Sequence, residues 1–185
     1  MKIYFLFFIT ILFFISCKQL KKFQDNQIDY LFIYNELKVD NNFMKFIGYH
    51  IVRRDNLNYF MFRNLMIDSS NFVVPVLNAT EGTRDYKEKE LFFKKYPDAK
   101  IQLYLMKKLK LQAVLTLNYN QITNKLEYDY GKGVKFKNYE LEFAVSEYIS
   151  ITHINFNFND YLNIIREDYD IIERLESNWF VLKRK

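Results

Sequence analysis

Over residues 100–120 apolar side chains fall on alternate positions. Ile101, Leu103, Leu105, Leu109, Leu111, Ala113, Leu115, Leu117 and Tyr119 take the odd numbers, while Gln102, Lys108, Lys110, Gln112, Thr116 and Asn118 take even ones. Only Lys107 interrupts. A period of two predicts one bent strand, or two strands joined near residues 107–110. Leu, Lys and Met also favour helices, but a helix would spread these side chains round its whole circumference.

The other segments divide by the same test. In "IDYLFIYNEL" the positions Ile28, Leu31, Phe32 and Leu37 fall near one helical face, which predicts a short helix. "YHIVRR" and "YFMFRNLMI" flank "DNLN" and predict a hairpin. "FVVPVL" predicts a strand at a sheet edge, because Pro75 cannot donate to a ladder. Residues 85–96 predict a helix with the stripe Leu91, Phe92 and Tyr96; Asp85 stands as cap, Glu88 three residues on, and Pro97 as stop.

"LEYDY", "GKG" and "VKFKNYELEFAV" predict a second hairpin. In it Lys135 and Lys137 would oppose Glu127 and Asp129, with a phase slip near Asn138. "YISITHINFNF" predicts a last strand. From Asp160 the period turns helical: Tyr161, Ile164, Ile165, Asp168, Ile171, Ile172, Leu175, Trp179 and Leu182 form one stripe, with Asp168 its single polar member. Asn159 or Asp160 would cap this helix, and Glu173 lies off its stripe. The expected fold is α+β: an antiparallel sheet of about six to eight strands, a long C-terminal helix packed on it, and a short helix near residues 85–96.

Composition adds location. The chain has 185 residues, half of them hydrophobic, with 19% aromatics and a formal charge of +5. That suffices for one core. The favoured residues have AT-rich codons, so much of the Lys and Asn content follows coding bias. Lys2 precedes an apolar run at residues 3–15, then Ser16 and Cys17, the only cysteine. Thirteen helical residues span ~20 Å, short of the ~30 Å hydrocarbon core, which is a signal-peptide pattern.

These residues resemble a bacterial lipoprotein signal of the spirochaete type, with a relaxed box in which Phe14 and Ile15 precede Ser16. The resemblance implies cleavage between Ser16 and Cys17 and acylation of Cys17. It implies residues 1–16 as signal, 17–27 as lipidated cysteine and tether, and 28–185 as one domain. Multiple acyl chains anchor stably. The tether would reach ~17 Å when flexible and ~35 Å when stretched. The expected location is the cell envelope, with the outer membrane favoured.

Chemistry is sparse. His50 and His153 are about a hundred residues apart, each in a predicted strand, and no third metal ligand joins them. In "SITHI", Ser150 and Thr152 fall on the strand face opposite His153, so no nucleophile–base pair forms. Glu127 and Asp129 read as a solvated strand face, and "NAT" at residues 78–80 as a chance triplet. No phosphate loop or dinucleotide motif is present, so no cofactor is expected. The aromatics sit on apolar phases, which argues against nucleic acid. The expected function is a non-enzymatic binding or interaction protein that meets its membrane through the anchor and, beyond it, an unidentified protein partner. A carrier of a lipid or small apolar ligand is the alternative, and an envelope-assembly or immunity-type inhibitor a weaker one.

Overall fold

The computed structural model describes residues 28–54, 59–66, 72–75, 77–128, 134–165 and 167–185. The chain divides into two compact units, Met1–Tyr30 and Leu31–Lys185, and of the first only residues 28–30 are described. Ser16, Cys17, the tether, Asp129 and the "GKG" turn lie outside the described residues.

The elements are α1 (Tyr30–Lys38), a 3-10 segment (Val39–Phe46), β1 (Tyr49–Arg54), β2 (Tyr59–Asn64), α2 (Arg84–Lys95), α3 (Ala99–Lys108), β3 (Ala113–Asn120), β4 (Lys125–Glu127), β5 (Tyr139–Ala144), β6 (Ile149–Ile154), α4 (Phe158–Ile165), β7 (Tyr169–Glu176) and β8 (Trp179–Arg184). The eight strands form one antiparallel sheet in the order β2-β1-β3-β5-β6-β8-β7, with β4 paired to β3 off that path. The α+β class and the strand number are as the sequence predicts.

Both faces of the central strands are covered. All six residues of β6 are buried, as are Trp179, Phe180, Val181 and Leu182 of β8. One face carries Val114, Thr116, Leu141, Phe143, Ile151, His153, Trp179 and Val181, which the register places in line. α1 and the 3-10 segment lie on it. Tyr34 and Phe43 meet the Trp179 ring edge-on at 5.4 and 5.3 Å, and Phe46 meets Phe143 at 5.5 Å. Further along, Phe92 and Tyr96 close on Phe62. The Thr116 hydroxyl accepts from the Gly48 N–H and lies 3.1 Å from the Phe46 carbonyl, fixing the entry to β1. Gly48 has φ +83°, and a Cβ there would lie 2.9 Å from Met66 Cε. On the other face α4 packs through Tyr161 and Ile165 against Ile154, Phe180 and Leu182.

Several expectations need correction. No long C-terminal helix forms. α4 stops at Ile165, and the rest of the stripe becomes the β7–β8 hairpin, joined through Ser177 and Asn178. Asp168, the polar misfit, lies in the turn between α4 and β7. Bulges between Ile171 and Glu173 and between Arg174 and Glu176 shift the strand phase, which let a strand imitate a helical stripe. Four apolar residues in a row, "WFVL", suit a strand buried on both faces. Asn157 caps α4, its Oδ1 accepting from the Asn159 N–H at 2.8 Å.

The alternating run at residues 100–120 is a helix and then a strand. α3 buries Ala99, Gln102, Leu103, Leu105 and Met106, of which Ala99, Gln102, Leu103 and Met106 follow helical spacing. α3 ends in a Schellman motif. The Leu111 N–H donates to the Met106 carbonyl, the Lys110 N–H donates to the Lys107 carbonyl, and Lys110 is left-handed at φ 55°. Glycine usually fills that place, and lysine hid the stop. In β3 the even residues Val114 and Thr116 are the deeply buried ones, and odd Leu115 and Leu117 are half-buried.

Smaller corrections follow the same logic. α1 buries Ile33, Tyr34 and Leu37, while Leu31 and Phe32 are exposed. Thr83, not Asp85, caps α2, its hydroxyl accepting from the Tyr86 N–H, and Leu91 is exposed. β4 pairs with β3 instead of forming a hairpin with β5, so Lys135 and Lys137 do not oppose Glu127 in a ladder. The β1–β2 hairpin stands as expected, and Val73 bridges to Phe62 of the outer strand β2.

Trp179 is 2% exposed. Trp179→Ala should cost about 3–5 kcal/mol, whereas exposed Glu173→Ala should be nearly neutral; denaturant melts check both. Lys110→Gly should raise stability by about 0.5–1 kcal/mol, because glycine adopts the left-handed cap without a Cβ penalty.

Candidate functional site

β5 reads "YELEFA". Its Tyr139, Leu141 and Phe143 point to the tryptophan face, so Glu140 and Glu142 point to the face under α4. Register then sets a row across the sheet: Leu115 on β3, Glu142 on β5, Thr152 on β6 and Phe180 on β8. Continuing the β1–β3 register brings His50 alongside Leu115, and Arg63 pairs with His50. The neighbouring row holds Ala113, Ala144, Ser150 and Leu182.

Cover on this face is uneven. Over β6 and β8 it is complete. Over β1, β3 and β5 the side chains of Val52, Ala113, Leu115, Leu117, Glu142 and Ala144 are only half-buried. The result is a strip of apolar floor beside α4, with carboxyl groups on one side and His50 and Arg63 on the other.

Glu140 is 5% exposed, and the Tyr161 hydroxyl donates to its Oε1 at 3.0 Å. Burial pushes the Glu140 carboxyl up to about 8, Glu142 beside it adds to the rise, and the Tyr161 bond partly opposes it. Glu142 also holds its proton longer than usual because of burial; Ser150 and the Arg184 guanidinium ease its ionisation. The Tyr161 phenol is pushed well up by burial and by Glu140. Near neutral pH Glu140 is therefore mostly a neutral acid.

The histidines lie on opposite faces. His50, buried with the glutamates, places Nε2 2.9 Å from the Thr116 carbonyl and meets the Tyr128 ring edge-on at 5.2 Å. Burial lowers its pKa, with Arg63 adding to the fall. His153 sits among Phe43, Tyr139 and Trp179, with Nε2 2.8 Å from the Asn178 amide nitrogen, and burial lowers it to about 4. The sheet separates the two, so they share no site. Among the described residues no group of three His, Cys, Asp or Glu side chains could hold a metal.

Ser150 and Thr152 are buried on the face away from His153, as strand geometry requires. Glu127 is held by Asn120 Nδ2 at 3.1 Å and Thr123 Oγ1 at 2.8 Å, bonds that lower its pKa and tie a turn. Asn78 and Thr80 lie in the irregular stretch before α2. Sequence reasoning missed Glu140, Glu142 and Tyr161. Their signal was present but depends on pairing: "YELEF" looks like a solvated strand until "ISITHI" is laid beside it. No family model, no curated protein and no solved structure matches the chain.

These shifts set a pH dependence. Glu140 binds a proton in the folded state between its unfolded value of 4.5 and about 8, so its contribution is full below 4.5 and is lost as pH rises to 8. Glu142 acts in the same direction. His153 works oppositely: its contribution is present above 6.5 and is lost as pH falls toward 4. Between 4.5 and 6.5 the Glu140 and His153 trends offset each other, and above about 6.5 stability should decline, by about 2 kcal/mol from Glu140 by pH 8. Thermal melts from acid to alkaline pH would show this, and Glu140→Gln should flatten the alkaline limb.

Proposed function

We propose that this chain is a non-enzymatic binding protein, held at a bacterial outer membrane by lipid on Cys17, that engages its target through the half-buried sheet face beside α4. The observation that carries the binding role is that strip itself. Apolar floor and a buried pair of acids meet where the helical cover stops. Surfaces that combine half-buried apolar area with a few convergent polar groups are recognition surfaces.

The anchoring role rests on the apolar run, Ser16 and Cys17. Among the described residues no helix is long and apolar enough to cross a membrane. In this reading a lipid on Cys17 is the attachment. For the carrier alternative the described cavity is poor support. A depression of about 230 Å³ lies under the end of α4, lined by Leu162, Ile165, Tyr169, Asp170, Ile171 and Lys185. It falls below the ~300 Å³ at which ligand pockets begin, and charged groups share its rim.

Cys17→Ala should abolish radiolabelled palmitate incorporation and release the chain from the membrane fraction. Equal labelling of the variant would overturn the anchor. Proteinase treatment of intact cells then reports which side of the membrane the domain faces.

A further inference from the structure

α2 and α3 expose one pattern twice. In α2 it is Lys87, Leu91 and Lys94, with Lys95 next; in α3 it is Lys100, Tyr104 and Lys107, with Lys108 next. Steps of four and three residues keep each set on one side of its helix. Every member is exposed, Leu91 by 64% and Tyr104 by 60%. Each helix therefore shows solvent a large apolar or aromatic side chain set between lysines.

Net charge gathers in the same place. Residues 84–110 hold nine Lys and Arg against four Asp and Glu, a net +5, which is the charge of the whole chain. The rest of the chain is balanced at 18 of each sign, from totals of 27 and 22. Coding bias raises lysine everywhere, and does not account for a balance that fails in one segment. The acids of the segment are Asp85, Glu88, Glu90 and Asp98, so α3 contains none; Glu36 of α1 holds Lys108 at 2.6 Å.

Both helices cover the tryptophan face of the sheet. Phe62 belongs to that face because it pairs with Ile51, which pairs with Val114, and α2 closes on Phe62 through Phe92 and Tyr96. α3 follows after Tyr96, Pro97 and Asp98, and its Gln102 amide donates to the Lys45 carbonyl of the 3-10 segment. The Lys108–Glu36 pair ties α3 to α1, the first described helix after the tether residues.

We propose that the exposed side of α2 and α3 is a docking surface for a bilayer carrying anionic lipid, the same bilayer that holds the anchor. This rests on the reading of Cys17 as lipidated. Residues 17–27 reach ~17 Å when flexible and ~35 Å when stretched, which keeps the helices close to that surface. Lysines flanking an apolar side chain suit the interface: the ring or alkyl group enters the headgroup boundary while the ammonium groups stay among lipid phosphates. Each lysine beside such a surface strengthens binding by about fivefold. A nucleic acid would use the charge but gain nothing from Leu91. Docking this way also orients the other face. The half-buried strip beside α4 lies across the sheet from α2 and α3, so it is turned away from the bilayer and toward a target.

Amine acylation by a membrane-impermeant reagent, read residue by residue by mass spectrometry, tests this on the full chain reconstituted in vesicles. Pure phosphatidylcholine is compared with an equimolar mixture of phosphatidylcholine and phosphatidylglycerol. Exposed Lys125 of β4 and Lys135 before β5 serve as internal references. On the anionic vesicles Lys94, Lys100 and Lys107 should react at least about fivefold more slowly relative to those references, and high salt should remove the difference. Lys94→Glu with Lys107→Glu should return Lys100 to its rate on neutral vesicles. Leu91→Ser with Tyr104→Ser should weaken the protection several-fold. Equal rates on the two kinds of vesicle, or undiminished protection in either double variant, would overturn the docking surface. So would equal protection on neutral vesicles by an added thymidine oligonucleotide, which would make the site one for polyanions in general. Palmitate labelling of Cys17 reports the anchor separately: protection without labelling keeps this contact and removes the anchor, and labelling without protection does the reverse.

Discussion

The hydrogen bond from Tyr161 to Glu140 is where helix, sheet and candidate site depend on one another. A carboxyl group on a strand covered on both faces has two stable solutions: it is neutral, or it is paired. Among the described residues no cation is paired with Glu140; the neighbour that donates to it is a phenol. The neutral form is therefore the favoured one, and α4 must lie where Tyr161 can reach it. That position in turn carries Ile165 onto Phe180 and Leu182, and closes the cover over β6 and β8. The same helix is eight residues long, so its cover cannot extend to β3 and β1. The half-buried strip is the consequence of a short helix placed by one hydrogen bond.

The two faces of the sheet then differ in kind. On one, Trp179 is surrounded by Tyr34, Phe43, Phe143 and His153, and burial lowers the His153 ring to about 4, so it is neutral near pH 7. Lys38 with Glu176 and Lys108 with Glu36 tie α1 to the hairpin and to α3, though exposed pairs of this kind add little by themselves. That face supplies stability. The other face exchanges some stability for buried acids, which burial penalises where they stand.

Much of the sheet was legible. The β1–β2 hairpin, the edge position of Val73, the strand at Ile149–Ile154 and the helix over Arg84–Lys95 all follow from period and turn residues. What failed did so at boundaries lacking the usual punctuation. Lys110 fills a left-handed cap where glycine is the readable sign, so α3 and β3 merged into one alternating run. The bulges in β7 moved its phase until Ile171, Ile172 and Leu175 fell at helical spacing. Asp168 was the one residue that disagreed, and it was the boundary. A single polar misfit in a long stripe has more weight as a break than as an exception.

The candidate site was illegible for a different reason. Local pattern assigns Glu140 and Glu142 to a polar face, because every strand read alone has one side for water. Burial of both sides is a property of neighbours: β6 contains no Asp, Glu, Lys or Arg and lies between β5 and β8. Only after that pairing do the acids become enclosed and their proton affinity rise. Leucine at either position would satisfy the same packing without the desolvation cost, and replacing buried ionisable groups by apolar ones is often stabilising. Two glutamates in adjacent inward positions are therefore a poor solution to folding. What they add is a pair of proton-binding groups beside a half-buried apolar floor, a property that packing alone does not require.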